Sequence, residues 1–485
     1  MNKTKLLIPL IIILLLGSSL RFYKLDFQSL WLDELATLRR AEVESVQNII
    51  HMATTIDIHP PGIYIIYYYW LKILPNSEAN FRLLSAISGS LAILAIFILA
   101  MRLYSRKEGL ISALIVAVSW FPIYYSQEAR PYSLLFLFSI INSIFYWQLV
   151  NKFYLNHSES WINSTLYILS ASITMYIHYF GTYLIFLHGI FLLIIAVREK
   201  KYFYEWLIIY SLIFILFLPW LPSMIFQLKG GVGTGIYSAP NFEELFNYMI
   251  YINNNYRIVI FITFLLTTSL FLSIYKNKKF RVLEIFKSLK IETIFLLTWF
   301  MIPLLIIVLF SHLVKPVFSF KNMIIAYAPM PILLSRLIVK SNFNNVTKNL
   351  FIFLFISFLI YNLVFVQQYY SKPTKEQFRE VVKYVISEYN QEQKPDIFAL
   401  SYASEYFDYY FQKFNTNIKV NECVQIENEN EEIEAALSRC YSNKLWLMSA
   451  HKLPNEKLLK IINMNYHLVH QKNFIGAQAA LYTHK

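Results

Sequence analysis

Cysteine and charge are both scarce in this sequence. Only two of its 485 residues are cysteines, and Asp, Glu, Lys and Arg make up 15% of the chain against 57% for hydrophobic residues. This composition excludes an ordinary soluble protein, because the surface of a soluble chain of this size needs more polar residues. The sequence therefore predicts a polytopic membrane protein.

Acidic residues are also fewer than basic ones, 30 against 43, which gives a formal net charge of +13. Such an excess can indicate nucleic-acid binding. Here, however, Lys and Arg are gathered in short clusters between apolar runs, as the positive-inside rule predicts for the cytoplasmic connections of a membrane protein. Nucleic acid is therefore not expected as a partner.

The N-terminal apolar run, residues 6–20, has no small-x-small cleavage site after it. Lys3 and Lys5 precede the run, and Arg21, Phe22 and Tyr23 follow it as an expected interfacial anchor. We therefore expect an uncleaved membrane helix that begins in the cytoplasm.

Further apolar runs of membrane-crossing length recur along the chain, with basic clusters at every second connection. Together with the first run they predict about eleven spans, with the N-terminus inside and the C-terminus outside. The later spans are expected at 81–104, 109–125, 131–150, 161–178, 180–197, 206–221, 257–275, 291–310, 323–338 and 350–365.

Composition changes sharply near Lys372 and Pro373, where the long apolar runs stop. We predict a transmembrane domain at 1–370, with a first outer loop at 21–80, and a small soluble extracytoplasmic α/β domain at 371–485. Within the second domain, helical spacing of apolar residues predicts a helix at 377–386. Short apolar runs predict buried strands at 397–400 and 445–448.

Both cysteines, Cys423 and Cys440, lie in the domain expected outside the membrane. An oxidising compartment permits a disulfide between them, but two unpaired small hydrophobic residues fit the sequence as well.

The long connection at 223–256 contains Gly230, Gly231, Gly233 and Gly235. It is interpreted either as a loop that closes over a substrate or as an irregular connection.

Polar residues that suit chemistry lie at the ends of spans expected on the outer side. Asp33 and Glu34 follow the first span, where carboxylates so close to a bilayer are costly without a role. His59 is followed by Pro60 and Pro61, which form a rigid, non-helical entry to the next segment.

Two further pairs lie at the outer ends of later spans. Glu128 and Arg130 precede Pro131, and by themselves they also suit an interfacial salt bridge. His178 and Tyr179 also suit the aromatic and polar belt at a membrane interface.

Taken together, these motifs resemble the integral-membrane glycosyltransferases of the GT-C fold. The resemblance is greatest to family 39, which includes dolichyl-phosphate-mannose protein mannosyltransferases and the bacterial aminoarabinose transferases of lipid A. It extends from about residue 6 to residue 369 and rests on Asp33-Glu34 after Ser29-Leu-Trp31, His59-Pro-Pro-Gly62, Gln127-Glu-Ala-Arg-Pro-Tyr132 and His178-Tyr-Phe-Gly181. The chain departs from the family at Lys321-Asn322, where an Arg-Tyr pair is common, and Lys has no bidentate fork for phosphate.

The resemblance implies a sugar donor linked through phosphate to a polyprenol, and an acceptor on the outer face of the membrane. Transfer with inversion needs a base for the acceptor proton, and Asp33 is the predicted base. Glu34 points about 100° away on a helix and is predicted to orient other groups or to bind a metal. Arg130 is the first candidate to stabilise the leaving phosphate, followed by Lys321 and His59.

The same resemblance leaves metal dependence open. Glu128 is predicted either to orient Arg130 or to hold a divalent cation together with Asp33, with His59 as a third ligand. Carboxylates favour Mg²⁺ or Mn²⁺, and the imidazole also permits Zn²⁺. His178 and Tyr179 complete the predicted donor site.

The competing interpretation is a transporter or lipid flippase, which also needs spans, basic loops and interfacial carboxylates. Against it, the acidic residues cluster in outer loops, and one half of the sequence does not repeat the other. A membrane-anchored receptor or scaffold would leave the carboxylates of the first loop unexplained. We therefore predict a hexosyl- or pentosyltransferase of a bacterial plasma membrane, with a glycolipid, a protein or a cell-wall polymer as the acceptor.

Overall fold

The computed structural model describes residues 4–156, 160–231, 239–276, 289–341, 343–389, 395–400, 405–416, 418, 443–451 and 453–485. The chain divides into two compact units. The first unit comprises Met1–Tyr23, Arg40–Asn76 and Asn80–Gln367, and the second comprises Lys24–Arg39, Ser77–Ala79 and Gln368–Lys485. Part of the predicted first outer loop therefore folds with the C-terminal part of the chain.

Up to residue 366, the described residues are helical apart from short connections. The helices are α1 (Thr4–Phe22), α2 (Leu32–Ala41), α3 (Val46–Thr55), α4 (Gly62–Ile73), α5 (Glu78–Leu103), α6 (Arg106–Val118), α7 (Trp120–Ser126), α8 (Tyr132–Leu155), α9 (Trp161–Ile177), α10 (Phe180–Glu199), α11 (Phe203–Phe217), α12 (Leu221–Phe226), α13 (Phe242–Asn253), α14 (Tyr256–Lys276), α15 (Ile291–Leu313), α16 (Ile324–Tyr327), α17 (Pro329–Lys340) and α18 (Asn345–Tyr361).

Among the described residues, six helical segments are long and apolar enough to cross a membrane, or up to eight if each of two bent pairs is one span. This confirms a polytopic, mainly α-helical membrane protein. Each predicted span falls on one of the helices or bent pairs. The total of about eleven crossings stays a prediction, because α1, α9 and α14 are not among these six to eight segments of the described residues.

Two predicted spans are broken rather than continuous. The axes of α6 and α7 differ by 59°. The helical segment Phe320–Tyr327, which includes α16, is bent by 44° relative to α17. Pro122 is in the first turn of α7, and Pro329 is the first residue of α17. A proline cannot donate a hydrogen bond to the carbonyl one turn earlier, which interrupts the helix at both places.

The break before α7 is stabilised by Arg21. Its side chain is fully buried, so the interpretation of Arg21 as an interfacial anchor is wrong. The guanidinium donates to the carbonyls of Val116 at 2.9 Å and Ala117 at 3.0 Å, in the last turn of α6. These carbonyls lie at a helix end, where a partner outside the helix is needed. In return, the Gln127 amide donates to the carbonyl of Tyr23 at 2.8 Å, beyond the end of α1.

The connection at 223–256 is not one long loop, so that interpretation is wrong for the part that the structure describes. Helix α12 continues as a wider helical turn over Gln227–Gly231, and α13 forms before residue 256. A reciprocal cap begins α13, in which Asn241 accepts from the backbone of Glu244 at 2.8 Å and Glu244 accepts from the backbone of Asn241 at 3.0 Å. Gly233 and Gly235 lie outside the described residues.

The second unit contains a four-stranded sheet, which confirms the small α/β fold. Its strands are β1 (Asp396–Leu400), β2 (Lys444–Ala450), β3 (Tyr466–Phe474) and β4 (Ala477–His484), in the order β1-β2-β4-β3. Only β1 and β2 pair in parallel, with Phe398 opposite Leu447. The helices are α19 (Phe378–Glu388), α20 (Glu405–Lys413) and α21 (Glu456–Asn465).

Burial explains this arrangement. Every residue of β2 after Lys444 is buried, as expected for a central strand, and Leu458 and Ile462 of α21 complete its core. The predicted helix and both predicted strands are present, but the sequence did not reveal β3 and β4. Cys423 and Cys440 lie outside the described residues.

Candidate functional site

The loop before α4 forms a compact hydrogen-bonded structure around Asp57. This carboxylate is 5% exposed. Its Oδ1 accepts from the backbone of Ile58 at 2.7 Å, the backbone of His59 at 2.9 Å and the imidazole Nδ1 of His59 at 2.7 Å. Its Oδ2 accepts from the hydroxyl of Tyr64 at 2.9 Å and forms an ion pair with Arg40. Asp57 therefore fixes both the backbone and the imidazole of His59.

The charges around this loop keep Asp57 ionised and His59 neutral. Burial alone would raise the pKa of Asp57, but Arg40 and His59 outweigh it and hold that pKa well below its usual range. Burial lowers the pKa of His59, and Arg130 and Lys321 lower it further, against the opposing effect of Asp57. The imidazole thus donates from Nδ1 to Asp57 and keeps a lone pair on Nε2.

His178 lies next to His59, with 5.0 Å between the ring centroids. It caps the C-terminal end of α9, and its Nδ1 accepts from the backbone N–H of Phe180 at 3.1 Å. The proton must therefore be on Nε2, which is buried and has no hydrogen-bond partner within the ranges that the structure describes. A buried N–H of this kind favours an oxygen ligand.

Arg130 and Lys321 supply positive charge to the same place. Arg130 is 5% exposed and lies in the connection between α7 and α8. The Lys321 ammonium is 5.9 Å from the centroid of the Tyr132 ring. Both cations lower the pKa of His59, so their field extends to that imidazole. Glu128 is buried close by in sequence, and its backbone carbonyl accepts from the N–H of Arg130 at 2.8 Å.

A cavity of about 220 Å³ opens beside the two histidines. Its polar wall includes Lys315 and Asn322, and the Asn322 Oδ1 is buried without a hydrogen-bond partner among the described residues. The rest of the wall is mainly apolar, formed by Phe180, Tyr183, Met224, Leu228, Phe310, Pro316 and Val317. The cavity therefore has one polar, cationic side and an apolar remainder.

Tyr179 and Gln227 form a third side of this cavity and hold each other in place. The Tyr179 hydroxyl accepts from the indole of Trp220 at 2.8 Å and donates to Gln227 at 2.5 Å. The side-chain amide of Gln227 in turn donates to the backbone carbonyl of Ala53 at 2.6 Å, and the backbone carbonyl of Gln227 accepts from the ammonium of Lys315 at 3.2 Å.

The structure thus brings together His59, His178 and Tyr179, with Arg130 and Lys321 acting on the same imidazole. Sequence reasoning missed Asp57, Arg40, Gln227, Lys315 and Asn322. Asp57 and Asn322 each lie within two residues of a predicted site residue, which is the only sequence signal for them. Lys315 follows a predicted outer span end, and that position was a signal for a further phosphate ligand.

The two predicted catalytic carboxylates belong to the second unit, in the first turn of α2. Glu34 is fully buried, 3.7 Å from the ammonium of Lys375, and accepts from the backbone N–H of Trp31 at 3.4 Å. This contact is one half of a capping box, which gives Glu34 a structural role at the helix start. Asp33 is partly exposed on a different side of the helix. Its role as the base stays a prediction.

Comparisons with solved structures identify the fold. The fold is that of the GT-C integral-membrane glycosyltransferases. ArnT from Cupriavidus metallidurans bound to undecaprenyl phosphate matches 99% of this chain and 98% of its own, with a TM-score of 0.57 at 9% identity. The apo oligosaccharyltransferase of Archaeoglobus fulgidus matches 99% of this chain and 74% of its own, with a TM-score of 0.51 at 12% identity.

The family comparison agrees with the motifs. Residues 58–222 match the family described as dolichyl-phosphate-mannose-protein mannosyltransferase, which confirms the predicted resemblance. This stretch includes His59, Arg130 and His178. No curated protein matches the sequence.

A further structure of the Archaeoglobus fulgidus oligosaccharyltransferase is a complex with Zn and sulfate. In the described part of the present chain, no three His, Cys, Asp or Glu side chains come together to hold a metal ion. The three-ligand site expected from Asp33, Glu128 and His59 stays a prediction.

Proposed function

We propose that this protein is a membrane glycosyltransferase that moves a sugar from a polyprenyl-phosphate donor to an acceptor on the outer face of a bacterial plasma membrane. The observation that carries the proposal is the mixed cavity beside His59 and His178. A polyprenyl-phosphate sugar has the same mixture, an anionic phosphate next to a long apolar tail. The phosphate suits the cationic side and the first isoprene units suit the apolar wall.

In the proposed reaction, an acceptor hydroxyl or amine attacks the anomeric carbon from the side opposite the phosphate. The new bond forms as the bond from carbon to phosphate oxygen breaks, so the configuration at that carbon inverts. The electron pair leaves with the lipid phosphate, and the acceptor proton passes to the Asp33 carboxylate. A hexosyl and a pentosyl donor satisfy this scheme equally.

The cations of the first unit act on the leaving group. Negative charge grows on the phosphate in the transition state, and Arg130, Lys321 and Lys315 stabilise it. The Nε2–H of His178 donates a hydrogen bond to a phosphate oxygen. The Asn322 amide can turn its N–H to the same ligand, because the orientation of an amide follows its hydrogen bonds.

The test uses the purified protein in nanodiscs with a panel of radiolabelled polyprenyl-phosphate sugars and membrane-extract acceptors. Asp33→Asn is compared with Asp26→Asn, a matched control that changes an exposed carboxylate of the same segment. We expect Asp33→Asn to abolish transfer and to leave donor binding intact, while the control retains activity. Transfer at the wild-type rate by Asp33→Asn would remove Asp33 from the mechanism, and movement of lipid without sugar transfer would favour a flippase.

A further inference from the structure

A second cavity of about 680 Å³ lies elsewhere in the first unit, against α15 and α17. It is larger than the cavity beside the histidines and falls within the usual range for ligand sites, about 300–1,000 Å³. Its walls are mostly apolar and include Met249, Ile262, Leu289, Leu297, Phe300, Met301, Met330, Leu333, Leu334 and Leu337. Such walls suit a hydrocarbon chain.

The polar residues of this cavity are concentrated near one end of α17. Arg336 and Lys340 lie four residues apart, so one helical turn brings both to the same face. The Arg336 guanidinium donates from Nη1 to Glu108 at 2.8 Å and lies 4.3 Å from the centroid of the Tyr104 ring. A guanidinium has five N–H donors, so this contact does not exhaust it. Lys340 is exposed.

The balance of charge at this end is positive. Besides the two cations, Lys290 directly precedes α15, three residues before the lining residue Thr293. Glu108 is paired with Arg336, so this ion pair is neutral as a whole. Glu292 offsets one of the two remaining lysines, which leaves one net positive charge. Glu292 lies in the first turn of α15, where the helix dipole favours a carboxylate. An anionic headgroup is therefore complementary to this end of the cavity.

The two cavities lie toward opposite ends of α15. At a rise of 1.5 Å per residue, Met301 of the second cavity is only about 14 Å along the helix from Phe310 of the first cavity. Thr293, at the cationic end of the second cavity, is about 25 Å from Phe310. This distance approaches the thickness of the hydrocarbon core, about 30 Å. The cationic end of the second cavity thus corresponds to the membrane face that carries the short basic connections, for example at Arg106 and Lys107.

We infer that the second cavity is a binding site for an anionic diacyl phospholipid of the leaflet on the basic side. Its phosphate is held by Arg336 and Lys340, and an acyl chain occupies the apolar space between α15 and α17. Basic pockets between membrane helices on this side are known to select anionic headgroups. The inference does not depend on the proposed transferase activity.

The experiment titrates delipidated protein in detergent with phosphatidylglycerol or phosphatidylcholine and counts bound lipids by native mass spectrometry. Lys340→Gln removes one headgroup cation, and Met301→Trp fills the apolar space. Lys107→Gln is the matched control, because it removes an exposed cation from the same membrane face without changing the cavity lining. Circular dichroism and thermal unfolding verify that each variant is folded.

We expect phosphatidylglycerol to bind more tightly than phosphatidylcholine. Lys340→Gln should lower the affinity for phosphatidylglycerol about fivefold, the factor expected for one surface cation, and Lys107→Gln should leave that affinity unchanged. Met301→Trp should lower the affinity for both lipids. Equal affinity for the two lipids, or equal effects of Lys340→Gln and Lys107→Gln, would overturn the proposal. Displacement of phosphatidylglycerol by undecaprenyl phosphate would also overturn it, because the space would then belong to the donor tail.

Discussion

Replacing Asp57 with Asn tests how the candidate phosphate site is held together. Four hydrogen-bond donors converge on this carboxylate, namely two backbone N–H groups, the imidazole of His59 and the hydroxyl of Tyr64, and the guanidinium of Arg40 forms an ion pair with it. An amide offers one acceptor oxygen and turns an N–H₂ toward the remaining donors. Asp57→Asn thus removes the negative charge that faces Arg40 and leaves His59 without a fixed orientation.

The structure sets the size of both effects. Removing one partner of a buried ion pair typically costs 3–5 kcal/mol, and the Arg40 side chain is 15% exposed, which favours the lower end, about 3 kcal/mol. A catalytic group displaced by about 1 Å loses roughly 10²-fold in rate. We therefore expect a variant that unfolds more easily and transfers sugar about 10- to 100-fold more slowly.

The assay separates these two effects. Thermal unfolding and sugar transfer are measured in nanodiscs for Asp57→Asn, for Asp57→Asn with Arg40→Met, and for the exposed-carboxylate control Glu42→Gln. The double variant also removes the cation that faces Asp57 in the wild-type protein, so it should recover stability but not transfer. Wild-type stability of Asp57→Asn would refute the ion-pair argument, and wild-type transfer by the double variant would refute the orienting role.

Three further predictions concern pH, Arg21 and Tyr410. The folded-state pKa of His59 lies below its unfolded value of 6.5, so its contribution to stability is present above pH 6.5 and is lost as the pH falls below it. Thermal unfolding should therefore occur at lower temperature at pH 5.5 than at pH 7.5, and His59→Gln should reduce this difference; an unchanged difference would contradict the prediction. Arg21→Lys should cost about 1–3 kcal/mol, because one ammonium cannot serve the Gly17 carbonyl of α1 and the Val116 and Ala117 carbonyls of α6 as the guanidinium does, and unfolding no different from that of exposed Arg106→Lys would disprove it. Tyr410→Phe removes a hydroxyl that donates to Glu78 and accepts from the backbone of Leu30, both at 2.8 Å, so hydrogen exchange at Leu30 should accelerate; wild-type protection there would exclude this role.

Much of the fold follows from the sequence because membrane helices are long and continuously apolar. The runs at 81–104 and 291–310 fall on α5 and α15, and the strands at 397–400 and 445–448 are equally visible as buried apolar runs. The breaks in the third and tenth predicted spans are harder to see. Proline is tolerated within membrane helices, as Pro303 in α15 demonstrates, so Pro122 and Pro329 do not by themselves announce a bend.

The residues of the candidate site also fall into some that the sequence revealed and others that it did not. His59 stands out as the residue before a double proline and His178 as a polar residue at a span end, and the structure brings their rings together. Asp57 and Arg40 were not predicted, because their ion pair joins the last turn of α2 to the loop before α4, and no local sequence pattern links these two positions. Lys315 faces the cavity only because the chain after α15 turns back toward Gln227, a tertiary contact that no local pattern encodes.

For the segment that carries Asp33, tertiary contacts decide with which part of the chain it folds. Lys24–Arg39 is flanked in sequence by parts of the first unit, yet it folds with the C-terminal unit. Gln28 accepts from the backbone N–H groups of Thr374 at 2.9 Å and Lys375 at 3.0 Å, and Lys375 also pairs with buried Glu34. The C-terminal unit therefore holds the predicted base in place, whereas the candidate phosphate ligands belong to the first unit. A change such as Lys375→Met should then slow sugar transfer while the affinity for undecaprenyl phosphate stays the same, because it disturbs the carboxylate segment and leaves the residues around His59 intact.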